Sequence, residues 1–329
     1  FKSMEKIRSE EYELTDSVST EVESSWGLFN PLDEELNLVK PLDNFNRRLI
    51  KIHPSNEKVQ VVGVDVSSRK IGDSAQGVVC AVRGTVVWRD EYAYQYKRYG
   101  PFVFHIEYVD EVFGDNAYGK HFLNQNIETT NSSMLVNKVQ ALVEKELQKH
   151  VFNHSRNSIT LLDGCLCNRN IESKTLDLAR KNNNKILAVS KKSRIFICGR
   201  PVTSYLDGVA SPSLLHITDL IQAEFDSNRM PNWVFVVKLA EGSLAFRMDA
   251  DGWSTFEGVI NTVQSLIGND LVVQGYPETL RMAHMLSVFT PVEVVAVQRF
   301  LAQKHQLRVK KPENTRRILF GPYGRWTDS

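Results

Sequence analysis

The chain has 329 residues, 42% hydrophobic and 24% charged, which is enough for a sizeable core and ordinary for a globular protein. Its formal net charge is +1, which excludes a global basic field, so any nucleic-acid contact must come from local patches. No apolar run approaches the roughly 20 residues of a membrane span and no signal peptide is visible, so a cytoplasmic protein with no membrane role is expected.

In residues 5–25, Ile7, Tyr12, Leu14, Val18 and Val22 recur at helical spacing and predict an amphipathic N-terminal helix. Residues 28–58 mix Pro, Asn and Asp with short apolar groups and read as a connecting region. Residues 59–66 form a branched-aliphatic strand that runs into Asp65 and then a polar turn. Residues 76–83 and 85–89 read as a hairpin around Gly84, and the aromatic stretch 90–125 as a further strand and a long loop. Ser132 and Ser133 offer N-caps for a helix over 132–150, with Leu135, Val139, Leu142, Val143 and Leu147 on one side. A second aliphatic strand, 159–166, runs into Asp163. A helix at 172–181, strands at 186–189, 233–239 and 243–248, and a helix at 255–266 follow. Two helices, 277–288 and 291–305, close the pattern, each with Pro at its first position. The pattern implies one α/β domain over 59–329, preceded by the region 1–58. The cysteines Cys80, Cys165, Cys167 and Cys198 lack the spacing of a zinc or redox motif and read as buried, reduced thiols.

A carboxylate at the end of a buried strand is costly unless something positive meets it. Asp65 and Asp163 would repel each other on neighbouring strands, and a divalent cation is the usual remedy. Oxygen donors of this kind suit magnesium or manganese, and a pair of such ions supports phosphodiester cleavage. The plainer alternative is that each Asp caps a turn. The run Lys191-Lys192-Ser193-Arg194 delivers cations and a hydroxyl into a loop, suited to gripping a phosphate backbone or simply to solvation. Tyr276 and His284, on either side of a helix start, face one site if helical spacing holds, or His284 is a packed helix residue.

Four pieces, in this order, resemble the NurA nuclease family: Val64-Asp65-Val66-Ser67-Ser68, Leu162-Asp163-Gly164-Cys165-Leu166, Ser190-Lys191-Lys192-Ser193, and Tyr276-Pro277 with Ala283-His284. The resemblance spans residues 59–305. It implies an α/β fold with an RNase H-like mixed sheet flanked by helices, an N-terminal helix and C-terminal helical elaborations. It also implies a Mn2+- or Mg2+-dependent DNA nuclease, of the 5'-3' exonuclease and single-strand endonuclease type, working in double-strand-break end resection. A homodimer, DNA ends and a HerA-type hexameric ATPase are the implied partners. Asp65 and Asp163 carry over as metal ligands, Tyr276 and His284 as active-site residues, and Lys191 as a backbone contact, with Lys192, Ser193 and Arg194 beside it. The family places a glutamate on the helix before the Asp-Gly strand. The aligned position here is Asn137, with Glu128, Glu144 and Glu146 as alternatives. If Asn137 fills that place, the alternative is a catalytically weakened paralogue that binds DNA and the ATPase. The N-terminal helix and Arg316-Arg317-Ile318-Leu319-Phe320 are the candidate partner contacts.

Overall fold

The computed structural model describes residues 13–15, 36–38, 41–74, 77–90, 93–107, 132–166, 173–222, 232–305 and 308–310. In chain order the first elements are β1 (Glu13–Thr15), β2 (Leu36–Leu38), α1 (Phe45–Arg48), β3 (Leu49–Lys51), β4 (Gln60–Ser74), β5 (Gly77–Arg89) and β6 (Tyr94–Glu107). Then come α2 (Ser132–His154), β7 (Ser158–Asp163), α3 (Ser173–Lys181), β8 (Lys185–Ser190), β9 (Ile195–Ile197), β10 (Arg200–Pro201), β11 (Ser213–His216) and α4 (Thr218–Gln222). The last group is β12 (Trp233–Lys238), β13 (Phe246–Ala250), α5 (Phe256–Asn269), β14 (Val272–Val273), β15 (Tyr276–Pro277), α6 (Glu278–Ser287), α7 (Pro291–His305) and β16 (Arg308–Lys310).

Nine strands form one mixed sheet in the order β3-β11-β12-β13-β8-β7-β4-β5-β6. Strands β4, β5 and β6 are antiparallel, whereas β7 lies parallel to β4 and β8 parallel to β7. This is the expected RNase H-like core, extended on its far side by β13, β12, β11 and β3. Alternation along the central strands sorts their side chains between two cores. Val62, Val64, Val66 and Leu162 meet α2 through Leu135, Val139 and Leu147. Val61, Ile159 and Leu161 meet α5 and α6 through Val263, Leu266 and Leu280. The same alternation places Asp65 and Asp163 on the α6 face.

Several boundaries differ from the sequence expectation. The polar turn after Val66 does not form. Instead β4 continues to Ser74, paired with β5 and buried at Ile71 beneath α7. Gly84 is not a hairpin turn either. It lies inside β5 at a register shift against β6, where an added Cβ would stand 2.7 Å from Leu147 Cδ2; the glycine admits the helix rather than turning the chain. Pro277 caps α6 from an extended conformation and is not its first helical residue, whereas α7 opens on Pro291 as expected. Over Glu13–Thr15 the chain is a strand parallel to β16, where a helix was expected. The rest of that predicted helix, and residues 316–320, lie outside the described residues. Within the expected connecting region, β3 joins the main sheet through β11. Cys80 is buried, but Cys198 is exposed and Cys165 partly so, against the expectation of uniformly buried thiols; Cys167 lies outside the described residues. Within the stretch Glu278–His305, an 18-residue window has a mean hydropathy of 1.4. Extended backbone at Val288 divides the stretch into helices of 10 and 15 residues, each too short to cross a bilayer.

Gly63 is the closest approach of α6 to the sheet, because an added Cβ would stand 2.7 Å from the Thr279 carbonyl oxygen. Backbone cannot yield there, whereas the Leu147 methyl that faces Gly84 can rotate. Urea titrations of Gly63→Ala and Gly84→Ala should therefore differ. The first is expected to lose about 1–3 kcal/mol and the second distinctly less.

Candidate active site

The pairing of β4 with β7 ends at Val64 and Leu162, yet β4 runs on to Ser74. From Asp65 onward, that edge of β4 has no hydrogen-bonded strand partner among the described residues, so the sheet forks. Asp65 and Asp163 stand at the fork. Gly164, at φ 103, turns the chain immediately after Asp163 in a conformation that L side chains rarely adopt. Its N–H donates to Val189 O at 3.1 Å, and the Ser190 hydroxyl donates to its carbonyl at 2.7 Å.

Helix α6 closes the fork. His284 Nδ1 lies 3.4 Å from Asp65 Oδ2 and 3.8 Å from Asp163 Oδ2. Ser287, one turn further on, donates from Oγ to Asp65 Oδ2 in a short hydrogen bond. Tyr276 donates to Asp163 Oδ1 at 3.4 Å, and Lys191 Nζ reaches Asp163 Oδ2 at 2.6 Å. Of the four cationic-loop residues, Lys191 thus turns into the site. Lys192 and Arg194 are exposed, and Ser193 Oγ accepts from Ile195 N.

The acid that α2 brings to these carboxylates is Glu144. It shares a helix face with Asn137, which lies seven residues earlier and so about 10 Å along the axis. Between them, Gln140 donates to Val66 O at 2.8 Å and accepts from Ser68 Oγ at 2.6 Å. The helix therefore runs antiparallel to β4, with Glu144 toward Asp65 and Asn137 beyond Ser68. Asn137 thus sits about two helical turns from Glu144. Glu146 is exposed and paired with Lys149, and Glu128 lies outside the described residues. One signal in the sequence pointed to Glu144: Gln140, Glu144 and Gln148 make a polar stripe at four-residue spacing inside an otherwise apolar helix face. Ser287 was not anticipated, although its spacing from His284 puts both on one face.

The electrostatics follow from crowding acids where water is scarce. Burial opposes the charge on Asp65, but His284, Ser287 and Lys191 together hold its carboxyl below the usual range. Asp163 moves the other way: burial and the charge of Asp65 raise it, against the pull of Lys191. Burial, with the charges of Asp65 and Asp163, pushes Glu144 up to about 8, partly countered by a hydrogen bond from Gln148. The Tyr276 hydroxyl is raised far above its ordinary value by burial and by both aspartates, so it remains a donor.

These residues fit a divalent cation. Ligand atoms of Asp65, Asp163 and His284 lie within 4.8 Å of one another. His284 Nδ1 is buried without a hydrogen-bond partner among the described residues. Carboxylate oxygens with one imidazole are donors that hard and borderline divalent ions accept.

No protein-family model matches the chain, and no curated protein matches it in sequence. Among solved structures, the NurA nuclease from Sulfolobus solfataricus superposes on 80% of this chain and 89% of its own, with a TM-score of 0.52 and 18% identity. The chain has the fold of that nuclease. A structure of NurA with manganese matches 81% of this chain and 90% of its own at a TM-score of 0.47 and 9% identity. Endonuclease V from Bacillus subtilis gives 83% and 90%, a TM-score of 0.38 and 12% identity. Within the NurA fold, the sheet fork is where Asp65, Asp163, His284 and Tyr276 meet.

The Glu144 carboxyl sits at about 8 when folded, against an ordinary value of 4.5. The folded chain therefore holds that proton more tightly than the unfolded chain. Its contribution to stability is full below about pH 4.5 and is lost as pH rises through about 8. In chelator, thermal melts should show the wild type losing stability between about pH 5 and pH 8. Glu144→Gln, which keeps a neutral side chain throughout, should flatten that slope.

Proposed function

We propose that this chain is a divergent NurA-type, divalent-metal-dependent deoxyribonuclease. The observation that carries the reading is the convergence of Asp65, Asp163 and His284 within 4.8 Å, with Glu144 alongside, at the fork of a sheet of this fold. Manganese or magnesium, when bound, supplies an activated water and offsets the charge of the leaving oxygen in phosphodiester cleavage.

Asp65, Asp163 and Glu144 would hold that ion, with His284 as a fourth donor. Their excess negative charge gives the site its affinity for cations. Ser287 fixes the Asp65 carboxylate from α6. Tyr276, kept protonated by its surroundings, orients Asp163. Lys191 supplies a positive charge at the same carboxylate, beside the place where a backbone phosphate must sit, and the exposed Lys192 and Arg194 extend that charge outward. Function as a homodimer with a HerA-type hexameric ATPase, feeding on DNA ends during resection, is part of the same proposal. The weakened-paralogue reading depended on Asn137 filling the acid position, and Glu144 removes that reason for expecting lost activity.

Linear DNA incubated with the chain and manganese should shorten. Asp65→Asn and Asp163→Asn should each slow cleavage by at least about 100-fold, the scale on which one electrostatic group at a reacting centre acts. Glu144→Gln should do the same, whereas Asn137→Ala should stay within about twofold of wild type, given its distance along the helix. Full activity in Asp65→Asn would place the chemistry elsewhere.

A further inference from the structure

A cleft of about 360 Å³ opens beside the acid centre and shares Lys191, Tyr276 and His284 with it. Its opposite wall is apolar, formed by Leu244, Phe246 and Val273. Leu244 is 64% exposed and Val273 40% exposed, so both aliphatic side chains project into solvent at the mouth of a charged site. Folding gains nothing from holding them there.

The backbone keeps them in place. Gly275, at φ 88, leaves no room for a Cβ against the Leu244 carbonyl oxygen, so the turn after Val273 is packed onto the loop that carries Leu244. Ser243 Oγ donates to Ala240 O at 2.6 Å and steadies the same loop. Phe246 stands edge-on to Tyr276 with ring centroids 5.3 Å apart, which ties the apolar wall to a residue that bonds Asp163. The cleft is therefore a rigid, two-sided slot. Lys191 and Arg281 contribute positive charge to the lining, whereas Leu244, Phe246 and Val273 contribute hydrocarbon, with the Gln274 amide beside Val273.

We propose that Leu244 and Val273 form an apolar lip that receives the face of an unpaired nucleobase next to the scissile phosphate. The inference rests on the nuclease reading above and deepens it by naming the residues that would receive a base beside the scissile phosphate. A phosphate held at the fork leaves its flanking nucleotide against this cleft, because the two share Tyr276 and His284. Inside a duplex both faces of a base are covered by its stacked neighbours. Only a single strand or a frayed end presents a free face to the lip. Projecting aliphatic side chains wedge against bases in this way. The Leu244 and Val273 side chains carry no hydrogen-bonding group, so their own contact with a base is indifferent to its identity.

The test compares an oligothymidylate of about 8 nucleotides, within the usual span of single-strand sites, with an abasic strand of the same length. Binding is read by fluorescence anisotropy in calcium. Wild type should favour the base-bearing strand by about tenfold, the scale of one stacked base. Leu244→Ser/Val273→Thr should bring that ratio close to one without weakening the abasic strand. In manganese the double variant should raise KM on single strands and leave kcat unchanged. Equal binding of the two strands by wild type, or an unchanged ratio in the variant, overturns the lip. Failure of the wild-type chain to shorten linear DNA in manganese would overturn the nuclease reading itself, so the two failures are distinguishable.

Discussion

Two carboxylates, an imidazole and one ammonium group share the fork between β4 and β7, with the Glu144 carboxyl on α2 close enough to feel both acids, and most of the surrounding structure answers to that imbalance. Like charges a few ångströms apart interact strongly wherever protein replaces water. Each member adjusts in its own way. Asp65 keeps its charge through contacts from α6, Asp163 leans on Lys191, and Glu144 retains its proton well into the neutral range. Such a cluster destabilises the chain that carries it, and perturbed carboxyls gathered in one cleft are a mark of a functional site. A cation held at the fork, as proposed, would relieve the repulsion and favour the charged state of these acids. Affinity for the ion and instability without it thus have one cause.

Holding His284 and Ser287 over the fork requires α6 to be fixed at both ends. At its start, Asp270 accepts from Thr279 N at 3.1 Å and from Tyr94 OH at 2.7 Å, which joins the helix to β6. In the middle, Gly63 permits contact between helix and sheet. At its end, the buried Arg83 donates to Val288 O at 3.3 Å and to Glu293 Oε1 at 2.8 Å, and it stacks over Phe289 at 4.3 Å. Arg83 is the cross-strand partner of Ser67, two residues beyond Asp65. The strand beside Asp65 therefore also clamps the helix that supplies its hydrogen-bond partner.

Much of this was legible in the sequence because the relevant residues interrupt strong local patterns. A branched-aliphatic run that ends in Asp is conspicuous, and both Asp65 and Asp163 lie where such runs meet loops. Tyr276 and His284 were legible because Pro277 marks the start of α6. Glu144 was harder: a helix shows its periodicity, but not which turn lies opposite which strand residue. That register is set by tertiary contacts, here Gln140 with Val66 and Ser68. The full length of β4 was hidden for a related reason. Ser67, Ser68, Arg69 and Lys70 look like a turn by composition, and only pairing with β5 keeps them extended. Short strands such as β9, β10 and β11 carry too few residues to show a period at all.

The far side of the sheet has its own part in the site. The RNase H-like core ends at β8, yet the chain adds β13, β12, β11 and β3 beyond it. Asp249 on β13 is fully buried, paired with Arg247 at 2.8 Å, and it accepts from Leu166 N at 2.9 Å. Leu166 follows the Asp163-Gly164 turn, so the added strands grip that turn from the side opposite α6. A buried ion pair adds little net stability compared with an apolar substitute, but breaking it leaves an uncompensated charge. Its value here is positional: Asp249 and Ser190 both bond the turn that follows Asp163. A carboxylate at the end of a strand inherits the mobility of the turn that follows. In this chain that turn is bonded at Gly164 and at Leu166, which lets Asp163 meet Asp65 across the fork.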